Sequence, residues 1–108
     1  MGRAITVTEL NTILATDADV SVLDVRSPEE WADVHIDDSR VQLIPLQELM
    51  NDPSKADKPG DTYVICNSGS RSAMAQMLLN TRGISVIDVT GGMQAWKQAG
   101  YGVTSDHE

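Results

Sequence analysis

The chain carries a single cysteine in 108 residues, so no internal disulfide can form. That fits a protein kept in a reducing compartment. Positive charge is also scarce: 8 Lys and Arg stand against 16 Asp and Glu, for a formal net charge of -8. Nothing in that balance could release counterions from a polyanion, which excludes nucleic-acid binding. Acidity of this degree favours a basic partner surface or serves plain solubility. No stretch approaches the apolar length of a membrane span, and the opening "MGRAITVTEL" has neither a long apolar run nor a small-residue cleavage site. A soluble, cytoplasmic protein is the expectation. The two histidines, His35 and His107, lie too far from Cys66 in sequence to form a metal-ligand pattern. Neither metal nor cofactor is implied. The length suits one domain over residues 1–108, with a core of about 5–103 and a tail "TSDHE" over 104–108 expected to fray.

Thr6 and Glu9 have the spacing of a capping box, and Val7, Leu10, Ile13 and Leu14 follow at helical intervals. "VSVLDV", 20–25, reads as a strand covered on both faces. In "SPEEW", Ser27 caps, Pro28 takes the first helical position and Glu30 stands three residues after the cap. A short strand follows near 41–44, then helical turns from about Leu46 and a polar loop, "NDPSKADKPGD", over 51–61. "TYVIC" is the next strand. Residues 71–82 form a helix with Ala73, Met77 and Leu78 on one stripe and Gly83 as its stop. "ISVIDV" is another strand, "TGG" a turn and "MQAWKQAG" a final helix ended by Gly100. Short strands alternating with helices spell an α/β fold with a mostly parallel sheet, in which ligands bind beyond the carboxyl ends of the strands.

Cys66 ends one of those strands and Arg71 opens a helix, leaving only Asn67, Ser68, Gly69 and Ser70 between them. A turn so tight directs backbone N–H groups inward, and the helix adds the positive end of its dipole. Such an anion cradle favours the thiolate form of a thiol at its edge. Gly69 permits the backbone conformation; Ser68, Ser70 and Ser72 offer hydroxyls and Arg71 a planar cationic fork. The alternative is a buried core thiol beside an ordinary turn.

"SVLDVRSPEEWADVHI", "VICNSGSRSAMAQMLL" and "ISVIDVTGGMQAWKQAGYGV" occur in the order and approximate spacing of three signatures of the single-domain rhodaneses, a sulfurtransferase family. The chain resembles that family over nearly its full length. The resemblance implies a three-layer α/β/α domain in which the loop cysteine, Cys66, takes a sulfane sulfur from a donor such as thiosulfate. It then holds the sulfur as a persulfide and yields it to cyanide or a thiol. Residues 67–71 would surround the persulfide, and Arg71 would orient or neutralise the donor's sulfonate. Asp24 and Arg26 look like the family pair that braces the active-site loop. Glu30 and Trp31 match positions in a supporting helix, and Gly91 and Gly92 the double glycine that turns the last strand into its helix. Thr90 and Met93 could line the mouth of the site. His35 matches a family histidine, but Val34 replaces the usual preceding glycine and "IDDSR" an ordinary Pro-Gly-Ala turn, so neither His35 nor His107 is expected to act as a base.

Two rival chemistries use a Cys, a backbone cradle and an Arg. A related phosphatase would want a loop one residue longer. An arsenate reductase would need glutathione or another protein as a second thiol. A non-enzymatic reading makes the domain a sulfur carrier or docking module within a protein relay. With no second cysteine, discharge of a loaded Cys66 must come from outside the chain. Oligomeric state is not legible.

Overall fold

The computed structural model describes residues 2–106. Its centre is a five-stranded, all-parallel sheet built from β1 (Arg3–Thr6), β2 (Val20–Asp24), β4 (Val41–Leu43), β5 (Asp61–Ile65) and β6 (Ile87–Thr90). They lie in the spatial order β1-β6-β5-β2-β4, with Val22 beside Tyr63 and Val64 beside Asp88. A small antiparallel pair joins β3 (His35–Ile36) to β7 (Val103–Thr104). Five helices complete the layers: α1 (Val7–Leu14), α2 (Pro28–Asp33), α3 (Leu46–Asn51), α4 (Ser70–Thr81) and α5 (Gly92–Gln98).

The three-layer α/β/α arrangement follows from strand pleating, which sends successive side chains to opposite faces. Along β5, Tyr63 and Ile65 join a core with Val7 and Leu10 of α1 and Met93 and Trp96 of α5. Val64 and Cys66 join the opposite core, with Leu49 of α3 and Ala75 and Leu79 of α4. Cys66 therefore lies beneath α4, on the face opposite α1 and α5.

Both expected capping boxes are present, Thr6 with Glu9 and Ser27 with Glu30. Other readings need correction. Strand β1 was not anticipated, because four largely exposed residues carry no periodicity; its pairing with β6 creates it. The strand expected at "ISVIDV" begins only at Ile87. The buried stripe of α4 is Ser72, Ala75, Gln76 and Leu79, while Ala73 faces outward and Met77 is 69% exposed. Apolar residues lie on both sides of this helix, and the side that packs into the core carries Ala75 and Leu79 together with Ser72, which meets the Cys66 sulfur. The stop at Gly83 holds: at φ 78 it lets the Ile84 N–H return to the Leu79 carbonyl at 2.9 Å. The polar loop contains a 3-10 turn, Pro53–Ala56, that buries Ala56.

The tail is docked over its described part. Thr104 pairs with His35, and the Asp106 N–H donates to the Ala32 carbonyl at 2.9 Å. His107 lies outside the described residues.

Candidate active site

The loop from Cys66 to Arg71 closes over its own sulfur. Cys66 is fully buried, and the Gly69 N–H donates to its Sγ at 3.0 Å. The thiol in turn donates to Ser72 Oγ at 3.4 Å, and the Ser72 hydroxyl donates to the Gly69 carbonyl at 3.1 Å. Gly69 caps α4 with φ 116, a left-handed conformation that suits glycine, and leaves the helix without a side-chain cap. The first-turn amides of α4 thus follow directly on the residue that touches sulfur, which places a helix's positive dipole end beside it. Asn67 is half-buried, whereas Ser68 and Ser70 stand exposed at the rim.

A second helix grips the loop from behind. The Met93 N–H donates to the Cys66 carbonyl at 2.8 Å and the Gln94 N–H to the Asn67 carbonyl at 2.9 Å. Gly91 and Gly92, at φ 83 and 57, turn β6 into α5 so that these two amides reach the loop. A Cβ on Gly92 would collide with the Cys66 carbonyl oxygen and stand 2.7 Å from that of Asn67. Met93 itself packs in the core, and Thr90 is exposed.

Asp24 and Arg26 pair with each other at the end of β2. Both are buried, and Arg26 Nε and Nη2 fork onto the Asp24 carboxylate at 2.8 to 3.1 Å. Arg26 Nη2 also donates to the Val34 carbonyl at 2.7 Å. The pair therefore fixes the turn between β2 and α2 together with the end of α2, while α5 holds the carbonyls of the cysteine loop.

Arg71 is where reading along the chain missed a relationship. Its Nη1 and Nη2 donate to Glu30 Oε1 and Oε2 at 2.6 and 2.8 Å, a bidentate pair across 41 residues. The Arg71 hydrogen bond, with smaller help from Ser27, lowers the Glu30 carboxyl from its usual 4.5 to about 2. Arg71 is raised above its ordinary value, first by Glu30 and further by the nearby charges of Cys66 and Asp24. Glu30 thus has two tasks: it completes the α2 cap and it holds the arginine of the loop. Its capping spacing was a complete local explanation, so nothing in the sequence demanded the second.

His35 lies against Trp31 of α2. Its ring stacks on Trp31, half-buried, at 3.7 Å and 5°, its Nδ1 meets the Trp31 carbonyl at 2.7 Å, and its Nε2 is 3.9 Å from Asp106 Oδ1. Among the described residues no group of His, Cys, Asp and Glu could hold a metal ion, and no helix is long and apolar enough to cross a membrane.

A buried sulfur held by a backbone amide, a hydroxyl and a helix terminus is suited to carrying a transferable atom as an anion. Known proteins resemble this chain in sequence and in fold. The family model described as a rhodanese-like domain matches residues 6–99. A sulfurtransferase of Allochromatium vinosum is 34% identical over 91 residues, covering 81% of this chain and 80% of that protein. A Bacillus subtilis protein named "Putative sulfur carrier protein YrkF" is 37% identical over 82 residues, covering 75% of this chain but 43% of the relative. The chain spans less than half the length of the first curated relatives it matches. The crystal structure of a rhodanese-related protein from Thermoplasma volcanium superposes with a TM-score of 0.82 at 33% identity, covering 94% of this chain and 97% of that one.

Proposed function

The chain belongs to the rhodanese-like domain family, and we propose on that premise that it is a sulfurtransferase working through a persulfide on Cys66. In the first half-reaction the Cys66 thiolate attacks the outer sulfur of a donor. With thiosulfate, the S–S bond of the donor breaks, sulfite leaves with the bonding pair, and Cys66 keeps one added sulfur. In the second, an external nucleophile attacks that outer sulfur: cyanide leaves as thiocyanate and the Cys66 thiolate returns. Every discharge comes from outside, because the chain has no second cysteine. The scheme is ping-pong, and its site of action is the cytoplasm.

The observation that carries this reading is the Gly69 amide, 3.0 Å from Sγ at the first turn of α4. Donors already in place stabilise a persulfide anion without reorganising during the reaction. The cradle would comprise Asn67, Ser68, Gly69, Ser70 and Arg71, with Ser72 beneath, and Asp24 and Arg26 would keep the neighbouring turn rigid. Four residues separate Cys66 from Arg71, where the family resemblance implies a loop one residue longer for a phosphatase, and this disfavours the phosphatase reading. Arsenate reduction would again require an external thiol.

A second reading is supported by the relative named as a sulfur carrier: the domain passes its sulfur within a protein relay, with a protein thiol as acceptor.

Intact-protein mass spectrometry tests the proposal. After reduction, brief exposure to thiosulfate and removal of the excess, the protein should gain one sulfur, lose it on adding cyanide, and show neither change as Cys66→Ser. A folded Cys66→Ser protein that still turns over would overturn it.

A further inference from the structure

We propose that β1 pairs with β1 of a second copy of this chain, antiparallel about a two-fold axis, so that two five-stranded sheets become one continuous sheet. This pairing lies away from Cys66 and does not depend on the chemistry proposed there.

β1 is an outer strand of the sheet, and nothing among the described residues covers its free side: Arg3, Ala4 and Thr6 are all exposed. The edge is also held in place. Gln76 of α4 donates from Nε2 to the Arg3 carbonyl at 2.7 Å and to the Val86 carbonyl at 3.0 Å, which sets both carbonyls in the seam between β1 and β6. Amide groups of successive strand residues point to opposite sides, so Ala4 turns its N–H and C=O to the open edge. Just before β1, Gly2 lies so close to the Gln76 side chain that no Cβ fits between them. An ordered edge with an unpaired donor and acceptor is a template for a further strand.

The surface beside that edge is uncharged. A cleft of about 450 Å³ runs between the lead into β1 and α4, lined by Gly2, Ala73, Gln76, Met77, Asn80 and Thr81. Between Arg71 and Arg82 the helix carries no charged residue, in a molecule of net charge -8. Met77 is the most exposed large apolar side chain among the described residues. Antiparallel pairing stands the two-fold axis perpendicular to the sheet and keeps both α4 helices on one face. The two clefts and the two Met77 side chains then look toward each other, and methionine adapts well to such a gap.

Charge selects a copy of the same chain as the occupant. Ile5 packs toward the core formed with α1 and α5, so Arg3, two residues earlier, projects to that same face. Glu9, in the first turn of α1, stands on this face at the other end of β1, its carboxylate bonded to Thr6. Among the described residues neither Arg3 nor Glu9 has an ion-pair partner. Antiparallel pairing brings Arg3 of one copy toward Thr6 of the other, and so toward the Glu9 bonded there. The two-fold repeats the contact, which makes the edge self-complementary. Because the strands oppose, the two Cys66 loops lie at opposite ends of the joined sheet and stay uncovered.

Sedimentation velocity tests this. An edge of four residues with two ion pairs predicts a weak dimer, with Kd of about 10–100 μM. Wild type should shift from monomer to dimer across that range. Arg3→Glu and Glu9→Arg should each loosen the dimer about tenfold or more, since each sets like charges together at both ends of the edge. Mixed in equal amounts, the two variants should associate at wild-type affinity, because every contact then joins opposite charges. Ala4→Pro, which removes the outward N–H, should abolish the dimer. Wild type that stays monomeric at about 300 μM would overturn the proposal and leave the edge to a strand of another protein. A dimer that folded Arg3→Glu and Ala4→Pro do not weaken, or a mixture of folded variants that does not recover affinity, would overturn it as well. Wild type and Arg3→Glu decide the matter if Glu9→Arg, which loses the α1 capping box, fails to fold.

Discussion

Gly92 lies directly against the backbone of Cys66: no Cβ fits between them, and that closeness lets the next amide, of Met93, donate to the Cys66 carbonyl at 2.8 Å. The reactive loop is thus held between two helices, α4 growing out of it and α5 donating to it from behind. The shape of the cradle depends on a residue 26 positions further along the chain.

Gly92→Ala should therefore destabilise the protein and disturb the loop together. The substitution adds a collision with two carbonyls to the strain of φ 57, about 3 kcal/mol or more. Gly69→Ala meets no atom within 4 Å and bears only the conformational cost, about 1–2 kcal/mol. Urea unfolding of the two variants should rank them in that order, and sulfur loading by Gly92→Ala should fall even where it stays folded.

Ser72→Ala should slow loading of Cys66 by about tenfold at a stability cost of about 1 kcal/mol. The hydroxyl is the side chain that touches Sγ from below, while the Gly69 carbonyl it leaves still accepts the Ala73 N–H at 3.1 Å. Single-turnover loading beside chemical denaturation separates the two effects. Equal loading rates would remove Ser72 from the site.

Asp24→Asn should cost about 3–5 kcal/mol, because it strands a buried guanidinium. The double variant Asp24→Asn, Arg26→Met should recover much of that loss, since a buried pair contributes little beyond the partner left unpaired. Unfolding midpoints of the three proteins in urea check this.

The Glu30–Arg71 pair predicts a pH dependence. The Glu30 carboxyl is lowered in the folded protein to about 2 from 4.5, so its contribution is fully present above the unfolded value and is lost as pH falls. Solvent reaches about a third of both side chains, which limits the contribution to about 1 kcal/mol. The stability difference between wild type and Glu30→Gln should hold steady from pH 7 to about 5 and shrink between about 4.5 and 2. A difference that stays constant through that window would show that the pair does not stabilise the fold.

What could be read along the chain is what local chemistry encodes. Ser27 and Glu30 stand three apart, and the cap between them formed. "TYVIC" was a strand because its residues are β-branched or aromatic, and the glycines at 69, 91 and 92 marked turns with positive φ. The misread parts have nonlocal causes. β1 and β7 exist through their partners, and the buried side of α4 is the one that packs against β5 and α3.

The sequence by itself determined the order of the five helices and of β2, β4, β5 and β6, the α/β class, and the position of Cys66 at a strand end before a glycine-containing turn, because periodicity, capping and turn chemistry act within a few residues. Only the tertiary structure decided what surrounds that sulfur. It brought α5 amides behind the loop, sent Arg26 to Asp24 and Val34, and gave Arg71 to Glu30, because those contacts join residues as far as 41 positions apart. Their partners are chosen by how the layers pack, which no local pattern records.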